Sequence, residues 1–190
     1  MAVKSRRAAF IDKDGTLLED VPYNVDPAKM RLVPCAEEAL PAMRAAGFEI
    51  VIVSNQSGVA RGLFEESALA GVEARLRDML AEVGVPLAAF LYCPHHPDGR
   101  DARYAVSCSC RKPAPGMIKR AAREHGFDAG ASWRVGDILD DVEAGRRAGC
   151  RTVLLDSAHE TLWERRPNRE PHYVARDFAH AADIITGAYT

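Results

Sequence analysis

In Ala8-Ala9-Phe10-Ile11-Asp12-Lys13-Asp14-Gly15-Thr16, four apolar residues run without a break into a carboxylate, and Gly15 follows three residues after it. A short continuous apolar run closed by a turn signal predicts a strand buried on both faces. Such strands belong to parallel sheets covered by helices, and ligands bind outside their carboxyl ends. Asp12 and Asp14 stand at that end. In extended chain, residues two apart point to the same side. Two carboxylates held that close repel each other and call for a cation. Mg²⁺ is the expected one, being hard and oxygen-seeking and tied to phosphate chemistry. One carboxylate then serves as nucleophile and the other as acid or base. A solvated Asx turn would share the bare D-x-D pattern. The buried run before it and Gly15-Thr16 after it favour the metal site.

Working outward, further apolar runs predict strands at Phe48–Val53, Phe90–Tyr92, Trp133–Val135 and Thr152–Leu155. Between them, helical patterns cover Ala36–Ala46, Glu65–Val83, Pro115–His125 and Asp140–Ala148, with a late helix at Phe178–Ile185. Gly47, Gly84, Gly126 and Gly149 stand where helices end. Pro41 should kink the first helix or break it in two. Pro115 fits a first helical position. Strands alternating with helices predict an α/β, Rossmann-like three-layer sandwich around a central parallel sheet. The chain has 190 residues, which suits one domain over residues 1–190.

Composition narrows the function. Apolar residues make up 47% and charged residues 27%, which excludes collagen, coiled coil and disorder. The net charge is −2, which gives no global attraction for nucleic acid or anionic lipid. No window approaches the ~18 apolar residues of a membrane span. The basic start, Met1 to Arg7, is followed by too short an apolar run for a signal-peptide core. A cytoplasmic location with reduced thiols is the expectation.

Three of the five cysteines lie between positions 93 and 110, in a Pro/Gly-rich stretch of no clear period. Cys93-Pro94-His95 and Cys108-Ser109-Cys110 offer three thiols and an imidazole, the set of a closed structural zinc site. His96 is the rival nitrogen ligand; His95 is preferred because C-x-H then mirrors C-x-C. Zinc would order a loop over 93–110 that is otherwise too long to be structureless. Cys35 and Cys150 read as small core or loop residues.

Three more clusters carry candidate chemistry. Ser54-Asn55-Gln56-Ser57-Gly58 closes the strongest strand and can donate to phosphate oxygens; alone it is also an ordinary polar loop. Arg61 follows within reach of an anionic substrate. Cys110-Arg111-Lys112-Pro113 sets two cations ahead of a helix, a pair that also occurs on plain surfaces. Val135-Gly136-Asp137, with Asp140 and Asp141, ends another strand in carboxylates. These can ligate metal or complement a helix N-terminus.

In this order, D-x-D-G-T at Asp12–Thr16, Ser54 ending the next strand, Lys112 before a helix, and G-D-x-x-x-D at Gly136–Asp141 resemble the haloacid dehalogenase superfamily of phosphotransferases. The zinc ligands, Ser54–Gly58 and Cys110–Pro113 look like its heptose 1,7-bisphosphate phosphatase group, with histidinol-phosphate phosphatases as close relatives. The resemblance spans Ala8 to Leu155 and leaves the Trp163–Tyr173 stretch unplaced. It implies an Mg²⁺-dependent phosphatase with a minimal cap, hydrolysing the 7-phosphate of the heptose bisphosphate through an aspartyl-phosphate.

By that analogy Asp12 attacks phosphorus, and Asp14 protonates the leaving alkoxide and then activates water. Asp12, the Asp14 backbone carbonyl and Asp137 hold Mg²⁺. Ser54 and Lys112 bind the phosphoryl oxygens. Asp20, Tyr23, Asn55, Gln56, Ser57 and Arg111 contact the sugar or its second phosphate, and Thr16, Arg61 and Asp141 support the site. The heptose pattern has Lys after the G-D aspartate, where this chain has Ile138. That departure leaves room for histidinol phosphate or another small monoester as substrate. A zinc-stabilised binding module without turnover is the remaining reading, and the complete set of catalytic residues speaks against it. The expected partner is a small phosphorylated sugar met by a monomer, with neither nucleic acid nor membrane.

Overall fold

A computed structural model describes residues 5–157, 160, 164 and 166–188. Met1 to Lys4 and Trp163, named above, lie outside the described residues. Among the described residues, six parallel strands form one sheet: β1 (Arg7–Ile11), β2 (Phe48–Asn55), β3 (Leu87–Cys93), β4 (Trp133–Gly136), β5 (Arg151–Leu155) and β6 (Tyr173–Ala175). Their order is β3-β2-β1-β4-β5-β6. The chain leaves β1 toward one edge, then returns to lay β4 on the other side of β1. That reversal opens a crevice between β1 and β4, where open parallel sheets bind ligands.

Five helices among the described residues cover the faces: α1 (Ala36–Ala45), α2 (Leu69–Glu82), α3 (Gly116–His125), α4 (Leu139–Ala148) and α5 (Phe178–Thr186). Strand alternation sorts the core into two layers. Ala9, Ile11, Ile50 and Ile52 pack against Leu40 and Met43 of α1, Val72 and Leu76 of α2, and Phe178 and Ile185 of α5. Ala8, Phe10, Val51 and Val53 point the other way, onto Met117, Ile118 and Ala121 of α3 and Ala144 of α4. This is the expected three-layer sandwich, with β1 buried along nearly its whole length.

Four local expectations are corrected. The sheet has a sixth strand, β6, formed by tail residues 173–175; its exposed Tyr173 and Val174 hide the apolar signature of a buried strand. The helix with Pro41 is not broken in two but runs as one element from Ala36 to Ala45. Pro41 cannot donate to the Glu37 carbonyl, but Glu37 is exposed, so water can take that place. Pro115 caps α3 rather than opening it at the first helical position, and the helix starts at Gly116. The helix predicted from Glu65 begins as a 3-10 turn at Glu66–Ala68 before α2.

The tail is part of the architecture. Arg169 reaches Asp140 (2.9 Å) and Glu143 (3.0 Å) on α4, while α5 packs against α1. Between β1 and α1 lie one 3-10 turn, Pro27–Lys29, and isolated bridges at Asp14–Leu18 and Leu18–Leu32. A segment that small is the minimal cap expected.

Candidate active site

Adjacent pairing of β1 and β4 sets the site. The Asp12 amide donates to the Val135 carbonyl at 3.0 Å, so the chain stays paired one residue beyond β1. Asp12 and Asp137 therefore leave neighbouring strand ends side by side. Asp141 joins them from the first turn of α4. Oxygens of Asp12, Asp137 and Asp141 lie within 4.8 Å of one another, and all three residues are buried. Gly136 makes this approach possible: a Cβ there would sit 2.2 Å from the Asp141 side chain. Thr16 donates its hydroxyl to Asp137 at 3.2 Å.

Two buried cations answer the three carboxylates. Lys112 Nζ lies 2.5 Å from Asp12 Oδ1 and 2.6 Å from Asp141 Oδ1. The Asn55 side chain holds the Lys112 backbone from both directions, accepting from its amide (3.0 Å) and donating to its carbonyl (3.2 Å). Arg134 rises from β4, fully buried. It donates to Asp141 Oδ1 at 2.6 Å and to the Val53 carbonyl at 3.3 Å, and lies 3.8 Å from Asp12.

The charges are out of balance. Burial pushes the Asp12 carboxyl up to about 7; Lys112 opposes that shift, while Asp141 adds to it. Burial works against the Lys112 ammonium, but Asp12 and then Asp141 outweigh it and hold its proton above the ordinary lysine range. For Asp141, Lys112 and Arg134 outweigh burial and keep the carboxyl below the usual range. Three acids against two bases leave room for further positive charge. The donor set, all carboxylate oxygen, suits a hard divalent cation such as Mg²⁺.

Asp14 sits at the mouth, half-exposed. Its side chain is held by Lys13 (2.5 Å) and the Gln56 amide (3.2 Å). The same Gln56 nitrogen donates to Ser54 Oγ at 2.7 Å. Gln56 and Asn55, expected to touch substrate, are thus engaged with site residues. Asp20 and Tyr23 lie exposed in the loop after β1, and among the described residues no hydrogen bond or ion pair ties them to the Asp12 cluster. Ser57 is half-buried in the turn after β2, with Arg61 one turn further on.

The second cluster stands at the end of β3, whose last residue, Cys93, belongs to it. Cys93 Sγ, His95 Nδ1, Cys108 Sγ and Cys110 Sγ lie within 4.8 Å of one another. Individual edges are 3.1 Å (Cys93–Cys110), 3.2 Å (Cys108–Cys110), 3.3 Å (His95–Cys110) and 3.6 Å (Cys93–Cys108, Cys93–His95). A zinc–sulfur bond of about 2.3 Å implies tetrahedral edges of about 3.8 Å, so a small expansion admits the ion. Burial pushes the Cys108 thiol up. Hydrogen bonds from Cys110 and the Arg111 amide outweigh it and bring the thiol down to about 7, readying a thiolate. His95 supplies the nitrogen, while His96 turns away to Arg61.

Sequence reasoning missed Arg134 and Lys13. An arginine inside an apolar strand run, Trp133-Arg134-Val135, is itself a signal, because a fully buried charge needs a partner. Lys13 lies inside D-x-D, a pattern whose signal is carried by the two acids alone.

Comparison with known proteins places this arrangement. Residues 109–181 match a family model described as HAD-hydrolase-like. The D-glycero-beta-D-manno-heptose-1,7-bisphosphate 7-phosphatase of Pasteurella multocida is 35% identical over 182 residues, covering 96% of this chain and 98% of that protein. The chain belongs to this phosphatase family. The D-glycero-D-manno-heptose-1,7-bisphosphate 7-phosphatase of Chlorobaculum tepidum is 37% identical over 196 residues, covering 99% of this chain and 94% of that one. Among solved structures, the D,D-heptose 1,7-bisphosphate phosphatase of B. bronchiseptica, complexed with magnesium and phosphate, superposes with a TM-score of 0.80 at 30% identity. It covers 96% of this chain and 99% of that one. These phosphatases extend the likeness past Leu155 through the tail, which the sequence motifs alone did not reach.

Proposed function

We propose that this chain is an Mg²⁺-dependent phosphatase that removes the 7-phosphate of D-glycero-D-manno-heptose 1,7-bisphosphate through an aspartyl-phosphate. The observation that carries the reading is the meeting of Asp12, Asp137 and Asp141 with Lys112 in the β1/β4 crevice. Asp12, Asp137 and the Asp14 backbone carbonyl would hold Mg²⁺, which when bound opposes the negative charge spread over the phosphoryl oxygens.

The chain's own groups do the rest. Lys112 touches Asp12 and so stands where a phosphoryl oxygen would arrive beside it. Ser54 Oγ, buried nearby, can donate to another oxygen. The Asp12 carboxylate attacks phosphorus, and the bond to the sugar oxygen breaks. Asp14, at the mouth, gives its proton to that leaving oxygen. It then takes a proton from the water that hydrolyses the acyl phosphate, regenerating Asp12 and releasing inorganic phosphate. Asp141 and Arg134 hold Lys112 and Asp12 in register. Zinc in the Cys93/His95/Cys108/Cys110 cluster plays a structural part, tying the loop that carries Arg111 and Lys112. The catalytic unit is the one domain spanning the chain.

The test is hydrolysis of the heptose bisphosphate with and without Mg²⁺, by wild type and Asp12→Asn. Turnover that needs Mg²⁺ and vanishes in the variant supports the reading. Equal rates in the two proteins would refute it.

A further inference from the structure

Helix α4 presents active-site acids, yet it does not cap itself. Asp137 stands two residues before Leu139, where the helix begins, and Asp141 lies in its first turn. The residue at the cap position is Ile138, which has no side-chain oxygen for the free amides that open a helix. Asp141, placed to reach back to the cap, is drawn inward instead. Its Oδ1 lies 2.6 Å from both Lys112 and Arg134, and its Oδ2 stays 3.5 Å from the Ile138 amide. The tail meets Leu139. The Leu139 amide donates to Glu160 Oε2 at 2.7 Å, across 21 residues of chain. Arg169, also in the tail, takes the next residue and one a turn further on, with Nη1 2.9 Å from Asp140 and 3.0 Å from Glu143. The Arg169 side chain is 11% exposed, so water and salt screen these pairs less than they screen an open surface bridge.

Both tail residues take hold within the first five residues of α4. Ile138 alone separates Asp137 from Leu139, so fixing Leu139 fixes the turn from which the Asp137 carboxylate points. The carboxylate of Glu160 also suits the positive end of the helix. Arg169 has a further effect. Asp140 and Asp141 are neighbours, and either could draw the Lys112 ammonium. With Asp140 paired to Arg169, Lys112 is left to Asp12 and Asp141.

We propose that Glu160 and Arg169 are positioning residues for the Mg²⁺ site: the tail clamps the first turn of α4 and so sets Asp137 and Asp141 where the ion and Lys112 need them. The inference rests on the Mg²⁺-dependent reading above and gives a working part to the tail, which lies outside the catalytic motifs. Both residues act through α4.

The test titrates Mg²⁺ into zinc-loaded enzyme by calorimetry, which reads the ion without turnover. It then measures kcat and KM on the heptose bisphosphate at saturating Mg²⁺. Glu160→Ala and Arg169→Met should each weaken Mg²⁺ binding about tenfold, the low end for groups that orient metal ligands, and lower kcat with little change in KM. Glu160→Gln should restore most of the Mg²⁺ affinity, because its side-chain oxygen still accepts from the Leu139 amide. Arg169→Lys should restore part of it, keeping the charge without the planar fork. A Glu160→Gln protein as weak as Glu160→Ala would mean that the carboxylate acts by charge alone and would overturn the clamp. So would Mg²⁺ affinity and kcat unchanged in Glu160→Ala or Arg169→Met, even with a lower melting temperature, since the tail would then be docked and nothing more. If Arg169→Met does not fold, the Glu160 variants decide. Wild type that binds no Mg²⁺ would overturn the catalytic reading and the proposal with it, whereas wild-type binding with unchanged variants overturns the proposal alone.

Discussion

Arg134 and Gly136 show how single residues decide the site. Arg134 is a guanidinium without solvent exposure, and its ion pair with Asp141 is itself fully buried. Removing one partner of such a pair strands the other, at a cost on the order of 3 kcal/mol. Arg134→Met should therefore lower stability by about that amount, seen as a lower urea midpoint. It should also lower kcat by about 10- to 100-fold with little change in KM, because Asp141, which holds Lys112, loses the guanidinium that fixes it. Full activity in a stably folded variant would deny Arg134 its positioning part. Gly136→Ala is a sharper change. Its methyl would land 2.2 Å from Asp141, so strand β4 and helix α4 must separate. Activity should be lost along with at least about 2 kcal/mol of stability, readable by the same unfolding curve. Wild-type turnover in that variant would mean that the Asp137–Asp141 turn tolerates the separation.

At the scale of elements, the zinc cluster orders a long loop. Residues 94–115 include only short turns, yet they position Arg111 and Lys112 beside the crevice. Cys108→Ser should release about one zinc per chain in metal analysis. If the metal contributes even ~2 kcal/mol, the melting temperature falls by roughly 4–8 °C. An unchanged melting temperature would mean that the loop holds itself. What was legible in sequence follows the same division. β1, β2 and β4 announce themselves because their buried apolar runs end in Asp12, Ser54 and Asp137, so sheet and site residues could be read together. β6 was illegible because Tyr173 and Val174 face solvent at the sheet edge, and its pairing with β5 is a long-range event. Continuity through Pro41 depends on the exposure of Glu37, which only the fold supplies. The inward turn of Arg134, the engagement of Gln56 with Asp14 and the facing of Arg61 and His96 are likewise products of packing between distant segments.

Across the whole molecule, the 3-2-1-4-5-6 order brings acids from two crossovers together and leaves them with too much negative charge. Chelation with EDTA should abolish turnover and added Mg²⁺ should restore it; full activity in metal-free buffer would remove the reason for three carboxylates in one crevice. Asp12→Asn should lower kcat by a factor on the order of 10⁴ or more, as loss of a nucleophile does. The most direct measurement is chemical trapping of the covalent intermediate. During turnover of the heptose bisphosphate, borohydride reduces an aspartyl-phosphate to homoserine, and mass spectrometry of the digested protein locates it. The expected result is homoserine at position 12, present only with Mg²⁺ and substrate. Trapping at another carboxylate, or turnover that yields no reduced residue at position 12, would contradict the account.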